Sequence, residues 1–118
     1  MSWINAEYSW VHWLQYSGGR ATFIGLYSGY NQYIQQPAGL SAGDVVFYDW
    51  DGNNIIDHTS YDVGYGVDPN RNASYGVPGQ LTDDHTSAPT TIYHAFWSHL
   101  AVNQDWQKTN IYLMHFNV

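Results

Sequence analysis

The segment Gly43–Val63, GDVVFYDWDGNNIIDHTSYDV, constrains the fold of this chain more than any other. A turn leads into a short apolar run, Val45–Tyr48, that reads as a strand. A dense Asp/Asn/Gly loop follows at Asp49–Asn54. A second strand-like run starts at Ile55 and carries His58 next to Asp57. An imidazole at the start of a strand, just behind a rigid polar turn, is held in the way a general base is held. The chain contains no cysteine. Its own residues therefore supply no disulfide, no thiolate metal site and no thiol nucleophile.

The rest of the chain reads as helices followed by strands. Trp3, Tyr8, Trp10, Val11, Trp13 and Leu14 recur at helical spacing, predicting a helix over Trp3–Tyr16 that ends at Gly18-Gly19. Phe23, Leu26, Tyr27, Tyr30 and Ile34 predict a second helix stopped by Pro37. Val45–Tyr48 and Ile55–Tyr65 are expected as paired strands, and Gly64–Gly79 as a long loop. Gln80–Thr86 is expected as a third strand that brings His85 near His58. Tyr93–Leu100 fits a short helix or a strand. Thr109–Asn117 alternates Ile111, Leu113 and His115 against Tyr112, Met114 and Phe116, the pattern of a last strand. Helices before an antiparallel sheet define an α+β class.

At 118 residues the chain is expected to be one domain, 1–118, with a single core. Only 11% of residues are charged, against about a quarter in average proteins. Polarity comes instead from amides and hydroxyls, and aromatics reach 18%. This composition suits an extracellular, carbohydrate-facing protein. The formal net charge of −7 comes with three basic residues, Arg20, Arg71 and Lys108. Nucleic acid and anionic membrane surfaces are thereby disfavoured as partners, because both need clustered Lys and Arg. The first residues lack a basic and then apolar leader pattern, and no apolar run is long enough to cross a bilayer as a helix.

Several side-chain groupings carry chemistry. Asp49, Asp51 and Asn53 stand at alternate positions, with Asp57 beyond them, as in a Ca²⁺-binding loop. Hard oxygen donors suit that ion. Gly52 comes earlier than such loops place it, and no Glu closes the motif, so a tight turn held by Asx side chains explains the same residues. Asp83, Asp84 and His85 are neighbours on one expected strand and point to alternate faces. They read as a solvated carboxylate pair, one of which adds charge near His85. Trp3, Trp10 and Trp13 read as core packing rather than as sugar-stacking platforms. His12, His94, His99 and His115 stand in no motif. Asn72-Ala73-Ser74 fits a glycosylation triplet. Ser2, Ser9 and Ser17 lack the surroundings of a nucleophile elbow. On spacing alone, His58 and His85 either cap strands or form a site.

GDV opening a strand, YDWDG in the loop and DH opening the next strand together resemble the putative amidase domain family. SWINAEYSWVHWLQY, DDHTS around His85 and the ending IYLMHF resemble further parts of it. The resemblance implies a papain-like architecture related to the NlpC/P60 cell-wall hydrolases. It casts His58 as the base and His85 as the group that orients it. It also implies an amide-bond substrate, in a peptide or cell wall, and no required cofactor. The family's nucleophile lies in an Asp-Cys-Thr-Asn-Phe-like motif at the start of a helix, and this sequence has none. The chain is therefore expected to be a half-domain, inactive by itself and missing its nucleophile helix. Residues such as Val46, Tyr48 and Ile56 would then line an open face. A homodimer or a separate N-terminal fragment is expected to cover it. A degenerate module that binds a peptide, glycan or protein without chemistry is the alternative.

Overall fold

Strand β2 (Val45–Asp49) is apolar along its length because it is covered on both faces. Val46 and Tyr48 join Leu40, Phe96, Trp97, Leu100, Ile111 and Leu113 in the main core. Phe47 points the other way and meets Ile56 and Met114 in a smaller one. The computed structural model describes residues 21–68, 77–84 and 94–116. Within them, β2 is preceded by β1 (Ala21–Ser28) and a 3₁₀ turn (Gly29–Tyr33). It is followed by β3 (His58–Gly66), β4 (Gly79–Asp84), β5 (Ala95–Phe96) and β6 (Asn110–Phe116). The strands form one sheet in the order β1-β6-β2-β3-β4-β5, with every neighbouring pair antiparallel.

This overturns the α+β expectation and, with it, the papain-like half-domain of helices before a sheet. The described residues are all-β, and no α-helix occurs among them. The helix expected at Trp3–Tyr16 lies outside the described residues. The one expected over Phe23–Ile34 is β1 and the 3₁₀ turn. The physical reason is a β-bulge. Phe23 pairs with Met114 and Gly25 with Leu113, so Ile24 is an extra residue in the ladder. The bulge turns Ile24 to the same side as Tyr27, and both pack on the main core. Apolar residues three apart on one face are a helix signal in sequence; here an irregular strand produces it. Gly25 also disfavours a helix interior by about 1 kcal/mol relative to Ala.

The other strands follow their patterns. In β6, Ile111 and Leu113 face the main core while Tyr112 and Met114 face the smaller one. The segment Tyr93–Leu100 contains only the two-residue β5. Val46, Tyr48 and Ile56, expected on an open face, are buried. The register sets five strand ends in a row. Ser28 pairs with Asn110, Asn110 with Asp49, Tyr48 with His58, and Ser60 with Asp84. The residues that carry chemistry stand along this edge.

Asp62 in β3 is a buried acid that makes no ion pair among the described residues. Gln36 spends its amide N–H groups on the carbonyls of Pro37 and Leu40, so its oxygen accepts from Gln80 Nε2. The Gln80 amide also lies against Asp62, 2.8 Å from Oδ1 and 2.9 Å from Oδ2. Burial, chiefly, and the nearby Asp44 raise the Asp62 pKa to about 6, against a lowering hydrogen bond from Gly64 N–H. A folded-state pKa above the unfolded one means that Asp62 supports the fold at acid pH. That support is lost as the pH rises through about 6. The expected outcome is that Asp62→Asn melts higher than the native protein at pH 7.5. The two melting temperatures should converge as the pH is lowered to about 4, near the ordinary carboxylate pKa. Scanning calorimetry across that range is the check.

Candidate functional site

His58 opens β3 directly opposite Tyr48 of β2. Side chains two apart on a strand share a face, so His58 looks the same way as Ser60. Asp84, the last residue of β4, lies across from Ser60 and hence diagonal to His58. The His58 Nε2 to Asp84 Oδ1 distance is 3.3 Å. The carboxyl is 6% exposed. A ring nitrogen this close to a carboxylate is favoured as the N–H, which leaves the lone pair on Nδ1. Among the described residues no hydrogen bond engages Nδ1. An acid behind one nitrogen and a free lone pair on the other is the arrangement of a positioned general base.

Aromatic rings wall this pair. Trp50 stacks on His58 with centroids 5.8 Å apart and on Tyr48 at 4.5 Å. His99 stands edge-on to Tyr48 at 5.1 Å. Its Nε2 lies 3.2 Å from Thr82 Oγ1 and 3.5 Å from Asp84 Oδ1. Burial, the largest influence, lowers the His99 pKa and keeps the ring neutral, although the Asp84 charge pulls the other way. The Tyr48 hydroxyl lies 2.7 Å from Ser60 Oγ and donates to Trp97 O at 2.6 Å. Burial above all, and then the charge of Asp84, push its pKa up, so it stays a neutral donor.

The loop between β2 and β3 fixes where His58 begins. Asp49 is fully buried, and its two oxygens accept the backbone N–H groups of Asn53 and Asn54. Asp57 Oδ2 accepts from Trp50 N, and Asp57 N–H donates to Tyr48 O. Asn53 Oδ1 accepts from Ile55 N, and its amide donates to Asp51 at 3.3 Å. These are the Asx-turn contacts that close a loop on itself. Asp49, Asp51 and Asp57 also converge, each offering an oxygen within 4.8 Å of the others, a set able to hold a metal ion. Burial is the first cause of the raised pKa at both Asp49 and Asp57.

The structure thus gathers His58, Asp84, His99, Thr82, Tyr48 and Trp50. His85 lies outside the described residues. Its neighbour Asp84 is not the solvated carboxylate expected from sequence but the buried partner of His58. Asp83, on the opposite face, pairs with His94 at 3.0 Å. Strand alternation from Thr82 to Asp84 was the available signal, since one of two adjacent acids on a half-buried strand must face inward. No sequence signal pointed to His99, which arrives from the turn after β5.

The described residues are thus an all-β, six-stranded antiparallel sheet with an acid–imidazole pair on its edge. The chain matches the putative amidase domain family over residues 1–114 and belongs to that family. No curated protein and no solved structure matches it.

Gly52 turns the loop with φ of +69°, and a Cβ built there would stand 2.5 Å from Lys108 O. Gly52→Ala is therefore expected to lower the unfolding free energy by about 1–3 kcal/mol. Urea unfolding of the variant measures it.

Proposed function

We propose that this domain is the base-bearing part of an amidase that acts on amide bonds in a peptide or cell-wall substrate, in an extracellular setting. The observation that carries this reading is the His58–Asp84 pair, 3.3 Å apart, with no hydrogen bond at His58 Nδ1 among the described residues. In that chemistry Nδ1 takes a proton from the attacking group and Asp84 stabilises the imidazolium that forms. Trp50 shields one face of the imidazole from water. The attacking group in NlpC/P60-type hydrolases, to which the motif order relates this domain in chemistry, is a thiol. This sequence contains none, so the chain by itself is inactive in the proposal. Self-association, or a second segment bearing the thiol, belongs to the same proposal.

The absence of cysteine favours one other reading, a module that holds a peptide, glycan or protein against the His58 edge without cleaving it. Purified protein is expected to show no hydrolysis of peptidoglycan fragments or generic amides. Calorimetric binding of those fragments, weakened in His58→Ala, separates the two readings from an unrelated role. Turnover that vanishes in His58→Ala would instead identify a hydroxyl nucleophile or a metal.

A calcium ion among Asp49, Asp51 and Asp57, with Asn53 beside them, completes the proposal as a brace for the loop that places His58. Three convergent carboxylates repel one another, and a divalent cation relieves that repulsion. A ligand bound only by the native state adds about 2.7 kcal/mol at a hundredfold excess over its Kd. For a domain of this size that raises Tm by several degrees. Melting curves in EDTA and in millimolar Ca²⁺ provide the test, and identical curves leave the loop as a turn closed by its own hydrogen bonds.

A further inference from the structure

Asp84 poses the sharpest electrostatic demand in the site. A carboxylate taken out of water has to be paired or it becomes neutral. His58 is one neighbour, but its side chain is half-way to the surface, and it is the ring whose charge changes in the proposed chemistry. The other neighbour is His99, with Nε2 at 3.5 Å from the same oxygen. Asp84 Oδ1 has no well-aligned hydrogen bond from either ring, so its place depends on how firmly both imidazoles are held.

His99 is held firmly. Its backbone has φ of +56°, a region that a residue with a side chain occupies only when its surroundings over-determine it. Those surroundings are specific. His99 N–H donates to Phe96 O at 2.9 Å, and Val102 N–H and Asn103 N–H both donate to His99 O at 3.1 Å. The ring is buried, edge-on to Tyr48 and to Trp50. A lone pair on Nε2 would face a carboxylate oxygen and be repelled. The hydrogen therefore sits on Nε2, directed between Thr82 Oγ1 and Asp84 Oδ1. A neutral ring, which burial enforces, supplies that N–H without competing with His58 for the charge of Asp84.

We infer that His99, seated by Thr82, is a positioning residue that fixes the Asp84 carboxylate behind His58 Nε2 and thereby makes Nδ1 the lone-pair nitrogen of His58. His99 acts through Asp84 and does not reach the reactants. The inference rests on the reading of His58 as a general base, and it adds the residue that sets which of its nitrogens is basic.

The tautomer of His58 is the readout, because loosened packing alone does not select a ring nitrogen. Nuclear magnetic resonance spectra correlating imidazole nitrogens with ring protons are recorded at neutral pH on the full chain. The native protein is expected to carry the His58 hydrogen on Nε2 alone. His99→Phe keeps an aromatic ring without the N–H, and is expected to lose that single signature and show a mixture of both tautomers. His99→Gln restores an amide N–H and is expected to return His58 to the Nε2 form. Thr82→Val, which removes the partner that seats His99, is expected to shift the mixture in the same direction as His99→Phe. It decides the question if His99→Phe does not fold. A His58 hydrogen that stays on Nε2 in folded His99→Phe, or in Thr82→Val where His99→Phe does not fold, overturns the role of His99 and leaves the base reading standing. A native His58 with its hydrogen on Nδ1 removes the base reading itself, and the role of His99 with it. No hydrolysis enters the measurement, so an inactive chain does not disturb it.

Discussion

The buried hydroxyl of Tyr48 joins the core to the site. It donates to the carbonyl of Trp97 and lies in hydrogen-bond contact with Ser60 Oγ, so one atom ties β2, β3 and the turn after β5 together. The backbone of the same residue pairs with His58 on one side and Ile111 on the other. Its carbonyl accepts the N–H of Asp57, which closes the loop that delivers His58. Its ring supports Trp50, and Trp50 covers His58. Burial keeps the hydroxyl protonated, so this donor does not fail within the ordinary pH range.

Around it, the structure satisfies buried polar groups with amides and hydroxyls more than with long charged side chains. Gln32 donates to Trp106 O, Trp97 Nε1 to Ile34 O, Ser98 Oγ to Gln32 O and Thr109 Oγ1 to Trp50 O. Each of these joins two irregular segments across a long stretch of sequence. The low proportion of charged residues is consistent with this solution. A hydrogen bond between neutral groups inside a protein avoids the desolvation cost that a buried ion pair has to overcome. The close acid–imidazole pairs, His58–Asp84, His99–Asp84, His94–Asp83 and His115–Asp44, hold their charges only as protonation allows.

How far the sequence discloses this depends on how local each feature is. The β2–loop–β3 segment was legible because its apolar run, its Asx turn and its next strand are contiguous. The alternation of β6 was legible for the same reason. β1 was not, because the bulge at Ile24 gives a strand the residue spacing of a helix. His58 could be singled out from its place behind the polar loop. Asp84 could not be singled out beside His58, because its place there depends on the register between β3 and β4, a contact between distant residues. His99 was beyond reach, since only tertiary packing brings the turn after β5 to Thr82 and Asp84.

The sheet order has a consequence for how the molecule comes into being. The last described strand, β6, is inserted between β1 and β2, so among the described strands β1 has no partner until β6 is made. During vectorial synthesis from the N-terminus, the edges of β1 and β2 that β6 will cover wait until β3, β4 and β5 have been added. Such non-local pairing is slow to form and exposes strand edges to neighbouring chains. A nascent-chain chaperone would meet its substrate here as a set of open strands rather than as a partly finished domain. The half of the sheet carrying β1 can close only once β6 has emerged.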